Sequence, residues 1–216
     1  MGTNGKIVDL RTLLAERFPS PSLVRPELLS TGLSALDPIT GGGLPKGAVT
    51  ELISPSLSAG SASLIAALIQ SAHDNRYFIA LVDGCDSFDP EPLGNSCLRH
   101  LLWVRCRTPL ESVKAADLLL RDGNFPLVVI DLVLNSATEM RKIPQTSWYR
   151  LQRLVEPTST AFLVLTRYST VSSAHLKIVL ENQWTLQTFA QENAVSSLRI
   201  RIRRSHLGQT PLDNFG

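Results

Sequence analysis

Short apolar runs alternate along this chain with stretches whose apolar residues recur at helical spacing. Ala48–Ile53, Tyr77–Val82 (YFIALV), Leu101–Val104, Leu127–Ile130 (LVVI) and Ala161–Leu165 are compact runs rich in strand formers. Between them, apolar residues repeat every three or four positions. This holds from about Ala62 to Ala72, at Leu110, Val113, Ala116, Leu119 and Leu120 within Leu110–Arg121, and near Thr146–Val155. Strands alternating with helices of about 10–15 residues predict βαβ units and an α/β fold with a mostly parallel sheet. The end differs: Trp184–Phe189 and Leu198–Arg203 flank Gln191-Glu192-Asn193 as the arms of an antiparallel edge hairpin would. At the start, Asp9–Phe18 places Leu10, Leu13, Leu14 and Phe18 on one helical face, and Pro19, Pro21 and Pro26 stiffen the connection to the core. The pattern divides the chain into a helix and proline-rich linker (1–29), a core (30–204) and a polar tail (205–216).

Gly43–Leu64, GLPKGAVTELISPSLSAGSASL, has the layout of a phosphate-binding loop: a strand, a small-residue loop, then a helix. That geometry aims helix N-terminal amides at a phosphate. A working loop reads G-x-x-x-x-G-K-[ST], with the lysine on the β/γ-phosphates and the hydroxyl on Mg²⁺. Here Gly60 is followed by Ser61 and Ala62, and Pro55 stands five positions before it, where the first glycine belongs. Ser63 is a weak substitute for the missing hydroxyl.

Composition narrows the options without choosing among them. With 216 residues, 44% hydrophobic and 19% charged, the chain suits one soluble domain. A net charge of +2 argues for neither nucleic acid nor membrane. No apolar run approaches the roughly 20 residues of a membrane span, and the N-terminus has no signal-like cleavage site. Cys85, Cys97 and Cys106 are odd in number and never spaced C-x-x-C, which fits a reducing cytoplasm. His73, His100, His175 and His206 show no metal spacing.

Several phrases in order, from about Ser30 to Arg204, resemble the RecA family of ATPases. STGLSALD (Ser30–Asp37) resembles the opening of that core, and GGGLPKGAVTEL (Gly41–Leu52) the lead-in to its phosphate loop. VDGCDSFDP (Val82–Pro90) resembles the segment carrying the catalytic glutamate, and LESVKAADLLLRDGNFPLVVID (Leu110–Asp131) the elements that deliver the Walker B aspartate. SLRIRIRRS (Ser197–Ser205) is similar to a late basic strand. The resemblance implies a three-layer P-loop-type sandwich whose active site is mostly emptied. Asp131 matches the Walker B acid, but the catalytic glutamate falls on Cys85, with Asp86 one residue further on. Ser61 stands at the phosphate lysine and Ala62 at the metal hydroxyl. Each charge-assisted hydrogen bond is worth about 1.5–3 kcal/mol, so two such losses weaken nucleotide binding on the order of a thousandfold. The resemblance thus implies a vestigial loop of Gly60, Ser61, Ser63 and Asp131, no catalytic residue, and no cofactor beyond weakly held ATP and Mg²⁺.

The family's two DNA-binding loops are also reduced. The first corresponds to Asn135–Ser147, with Arg141 and Lys142; the second shrinks to Arg167–Ser173, because apolar periodicity resumes by Leu176. Eroded phosphate loops and the phrase LRTLLAERFP (Leu10–Pro19) resemble the ImuA group, also described as SulA-like. That group implies a bacterial accessory protein of damage-induced mutagenesis, working with RecA and a Y-family-like polymerase and meeting DNA and the nucleoid through them. Rival expectations are a weak RecA-type ATPase that binds DNA, and a cell-division inhibitor of SulA type.

Candidate partner surfaces each have a plainer alternative. Leu13, Leu14 and Phe18 dock on a neighbouring subunit or cover their own sheet. Trp148-Tyr149 with Arg150 and Arg153 forms a contact patch, or Trp148 packs in the core as Trp103 and Trp184 do. Arg199, Arg201 and Arg203 alternate with Leu198, Ile200 and Ile202, as on a half-buried strand or a basic contact face.

Overall fold

The computed structural model describes residues 27–185 and 194–205. The expected N-terminal helix with Leu10, Leu13, Leu14 and Phe18, the proline linker up to Pro26, the hairpin residues 186–193 and the tail 206–216 lie outside the described residues. The described part is built on a seven-stranded sheet. In chain order the strands are β1 (Leu28–Leu29), β2 (Leu44–Pro45), β3 (Ala48–Ile53), β4 (Ile79–Asp83), β5 (Leu101–Arg105), β6 (Leu127–Asp131), β7 (Ala161–Thr166), β8 (Leu176–Leu180) and β9 (Ile200–Ser205). The main sheet runs β5-β4-β6-β7-β3-β8-β9, parallel except for the antiparallel pair β8/β9 at its edge, and β1 and β2 form a separate small pair. This is the α/β, RecA-like arrangement, with the antiparallel edge that the sequence predicts. Its first arm, however, is Leu176–Leu180, and Trp184 lies outside any strand.

The helices are α1 (Asp37–Thr40), α2 (Ser61–Asp74), α3 (Asn95–Leu98), α4 (Pro109–Asp122), α5 (Ala137–Met140) and α6 (Gln145–Val155). Strand side chains alternate between two cores. Leu52, Ile79, Leu81, Leu127, Val129, Leu163 and Leu165 pack with Leu64, Leu68 and Ile69 of α2. Val49, Ala80, Val82, Val128, Ile130, Phe162 and Val164 pack with Val113, Ala116 and Leu120 of α4 and Trp148, Leu151 and Val155 of α6. Burial on both faces is why the central strands read as unbroken apolar runs. Among the described residues, no helix is long and apolar enough to cross a membrane.

Local chemistry explains where elements begin. Asp37 folds the STGLSALD phrase by accepting hydrogen bonds from Ser30 Oγ (2.9 Å), Thr31 Oγ1 (2.5 Å) and the Gly32 amide (2.9 Å). Helix α4 starts with Thr108 capping the Glu111 amide, Pro109 at its first position and the Glu111 carboxylate accepting the Arg107 amide at 2.9 Å. Gly43, at φ 145°, lets β1 pass so close that a Cβ there would lie 2.1 Å from the Leu29 carbonyl oxygen.

A buried charge pair joins the middle of the sheet to the loop after β7. Glu51 is fully buried and meets Lys177 Nζ at 2.6 Å, across the direct β3/β8 pairing. Its carboxylate also accepts the Thr166 hydroxyl (3.1 Å), the Ser169 hydroxyl (3.3 Å) and the amides of Thr170 (2.6 Å) and Val171 (2.9 Å). Lys177 in turn donates to Ser169 Oγ at 2.9 Å. Removing one partner of such a pair leaves a buried uncompensated charge. Lys177→Met is therefore expected to lower unfolding free energy by about 3–5 kcal/mol in urea titration, and Glu51→Gln on top of it to recover part of the loss. A Lys177→Met cost no larger than that of Lys46→Met, which breaks only the surface pair with Glu27, would contradict this.

Candidate functional site

Where β3 ends, the chain turns through 54–60 into α2, as a phosphate loop does, but the turn is closed on itself. Ser54 Oγ donates to the Ser56 carbonyl (3.1 Å), the Ser56 and Ser58 hydroxyls share a hydrogen bond (3.0 Å), and the Ala59 amide donates to the Ser56 carbonyl (3.2 Å). From outside, the Trp184 amide donates to the Ser58 carbonyl at 2.8 Å. Gly60 sits at φ 92°, and a Cβ there would lie 2.8 Å from Leu198 Cδ2 and 2.9 Å from the Trp184 ring. The glycine is thus required both by its backbone conformation and by the side chains packed against it. Ser61, buried, opens the helix in the position of the missing lysine.

Asp83 and Asp131 are direct register partners at the C-terminal ends of β4 and β6, where open α/β sheets receive ligands. Asp83 is buried and occupied, accepting from the amides of Cys85 (3.2 Å), Ser87 (2.8 Å) and Phe88 (2.8 Å). It shapes the loop after β4. Asp131 accepts the Val133 amide at 3.0 Å, and desolvation, with the Asp83 charge added, pushes its pKa up to about 6. Cys85 is exposed, yet partial desolvation of its thiol, followed by the charges of Asp83, Glu139, Asp131 and Asp86, raises its pKa above the ordinary thiol value. A neutral thiol at that position does not serve as a general base. Asp86 turns away, at φ 52°, into an ion pair with Arg105, 2.7 Å from Asp86 Oδ2 to the guanidinium.

Between these elements lies a cleft of about 400 Å³. It brings together Ser61, Ser63 and Asp131 of the predicted vestigial loop, while Gly60 is not among its lining residues. Leu57, Ile65, Phe88, Pro92, Val133 and Leu134 make it largely apolar, and among the described residues lining it there is no lysine or arginine. Leu57 and Leu134 were not legible as site residues. For Leu57 the one available signal is a leucine inside the otherwise small, polar SPSLSAG loop; Leu134 continues an apolar run and carries none.

The predicted partner patches are only partly assembled. Trp148 is buried in the core against the sheet, so it is no surface contact; its position on the inner face of α6 decides this. Tyr149 is exposed, Arg150 is ion-paired to Asp117 at 2.8 Å, and Arg153 is exposed beside them. On β9, Arg201 pairs with Glu181, and just before the strand the Arg199 amide donates to Asn182 Oδ1. A register irregularity between Lys177 and Ile178 leaves Arg203 outside the pairing, and Ile202, though paired with Ile178, is exposed, so the strict alternation is broken. The first reduced loop is more ordered than its polarity suggests. Ser136 and Glu139 form a capping box that starts α5, and α6 begins at Gln145. Beside it, a cavity of about 760 Å³ is lined by Arg141, Arg167, Tyr168 and neighbours from both reduced loops.

The comparisons bear on the family alone. The chain is 36% identical to RecA of Chlorobaculum tepidum over 111 residues, 50% of this chain and 32% of that protein. It is 37% identical to RecA of Thioalkalivibrio sulfidiphilus over 111 residues (50% and 32%), and 36% identical to RecA of Rhodospirillum rubrum over 116 residues (52% and 31%). No protein-family profile matches the chain. The matched half is homologous to RecA, and the chain covers about a third of the length of these curated relatives.

The raised pKa of Asp131 has a stability consequence of definite sign. Below the ordinary value of 3.8 both folded and unfolded forms are protonated and nothing is lost; as pH rises towards about 6 the unfolded carboxyl ionises first, and stability falls. Asp131→Asn keeps an acceptor for the Val133 amide and removes that cost. It is expected to stabilise the protein by about 1–2 kcal/mol at pH 7.5 and by almost nothing at pH 4, in urea titrations at both values. An equal effect at the two pH values would refute this.

Proposed function

We propose that this chain is a non-catalytic RecA-like accessory protein of the bacterial DNA-damage response. In this reading it resembles the ImuA group, and it acts by association, through RecA-type surfaces towards RecA and through others towards a Y-family-like error-prone polymerase. It works in the cytoplasm and reaches DNA through those partners. The observation that carries the reading is the state of the phosphate loop. Its hydroxyls bond to one another, its helix opens with Ser61 in place of a lysine, and the cleft beyond it is lined by carboxylates, serines and apolar groups. Phosphoryl transfer depends on positioning and on neutralising charge, and the lack of a lysine or arginine among the described residues lining the cleft supports the reading.

A second reading, direct binding of single-stranded DNA, is favoured by the cavity carrying Arg141, Arg167 and exposed Tyr168, since basic side chains and a stacking ring suit a single strand. The two separate by experiment. Calorimetric titration with Mg²⁺-ATP and a phosphate-release assay are expected to show no saturation at micromolar nucleotide and no turnover. Pull-down from damaged cells is expected to recover RecA and a Y-family-like polymerase. Hydrolysis that Asp131→Ala abolishes would end the accessory reading. Salt-dependent binding of oligo(dT), lost in Arg141→Ala with Arg167→Ala, would favour direct DNA contact.

A further inference from the structure

Loss of phosphate-gripping groups does not by itself explain the cleft at the strand ends. Vacated ligand sites have no physical reason to display large aliphatic side chains to water, yet Leu57 is 59% exposed and Leu134 50% exposed in its lining. Ile65, Phe88, Pro92 and Val133 continue the apolar surface. The charged groups in the lining are Asp89 and Asp131, both acidic. Oδ1 of Asp131 takes the Val133 amide, while its Oδ2 accepts no hydrogen bond from the described residues. Asp83 and Glu139 add negative charge near the same strand ends, while the charge of Asp86 is offset by its ion pair with Arg105. This field repels a triphosphate and attracts a cation, and the apolar lining favours a cation carried between apolar neighbours.

We propose that this cleft is a docking pocket for an extended segment of a partner protein that presents one lysine or arginine flanked by apolar side chains. The cation stands against Asp131 and Asp89, and the flanking side chains cover Leu57 and Leu134. At about 400 Å³ the cleft is at the small end of ligand pockets, which suits a few side chains of an extended strand. The proposal rests on the accessory reading in one respect only, that nucleotide does not occupy the cleft.

The test is amide chemical-shift titration of the full ¹⁵N-labelled chain with acetyl-Leu-Lys-Leu-Phe-amide, with a counterpart carrying glutamate in place of lysine, and with Mg²⁺-ATP. The lysine peptide is expected to shift the amides of Ser61, Ser63, Phe88, Val133 and Leu134 saturably, and the glutamate counterpart to bind at least about tenfold more weakly. Asp89→Asn with Asp131→Asn is expected to weaken the lysine peptide about tenfold. Leu57→Ser with Leu134→Ser, at exposed positions that leave the fold intact, should do the same. Equal affinity for both peptides, or no saturable shift at the cleft with either, overturns the docking pocket and leaves the accessory reading standing. Micromolar saturation of these amides by Mg²⁺-ATP overturns both.

Discussion

The buried carboxylate of Glu51 is the constraint on which the rest of the structure turns. A charge in the interior is tolerable only when it is paired and its remaining lone pairs are filled. Here the filling comes from Lys177 on β8 and from the hydroxyls and amides of residues 166–171. The result fixes three parallel strands, β7, β3 and β8, in one register and pins the loop after β7 to the sheet. That loop corresponds to the second DNA-binding loop in the RecA resemblance. In this chain the amides of Thr170 and Val171 are spent on the Glu51 carboxylate.

A similar reassignment runs through the strand ends. Asp83 spends its carboxylate on the turn after β4, Asp86 on Arg105, and the serines of the 54–60 turn on each other. Trp184 and Leu198 close on Gly60 from the side of the antiparallel edge. Polar groups at these strand ends are thus engaged by their own turns or by one another. What remains open is the apolar, acidic cleft beside Asp131.

Much of the fold was legible because the central strands are buried on both faces, so LVVI and AFLVL read as strands in any context. Strand β8 was harder to see. In LKIVL the lysine breaks the apolar pattern, and its burial makes sense only once Glu51 is seen opposite it. The pair β1/β2 and the helices α1, α3 and α5 are too short to carry a periodic signal. For Trp148 the sequence left a core position and a contact patch with Arg150 and Arg153 both open, and the packing of α6 on the sheet decides for the core.

Order along the chain was sufficient to determine the βαβ succession, the glycine-bounded turn into α2, the absence of a lysine after Gly60, and the acids at the ends of β4 and β6, because these depend on local spacing and residue type. Tertiary structure alone decided which charges are buried together, which arginines are already paired, and that Leu57, Phe88 and Leu134 share a cleft with Asp131. Those facts depend on contacts between residues distant in sequence, brought together by the crossing from β3 over β7 and β6 to β4, and no local pattern encodes them.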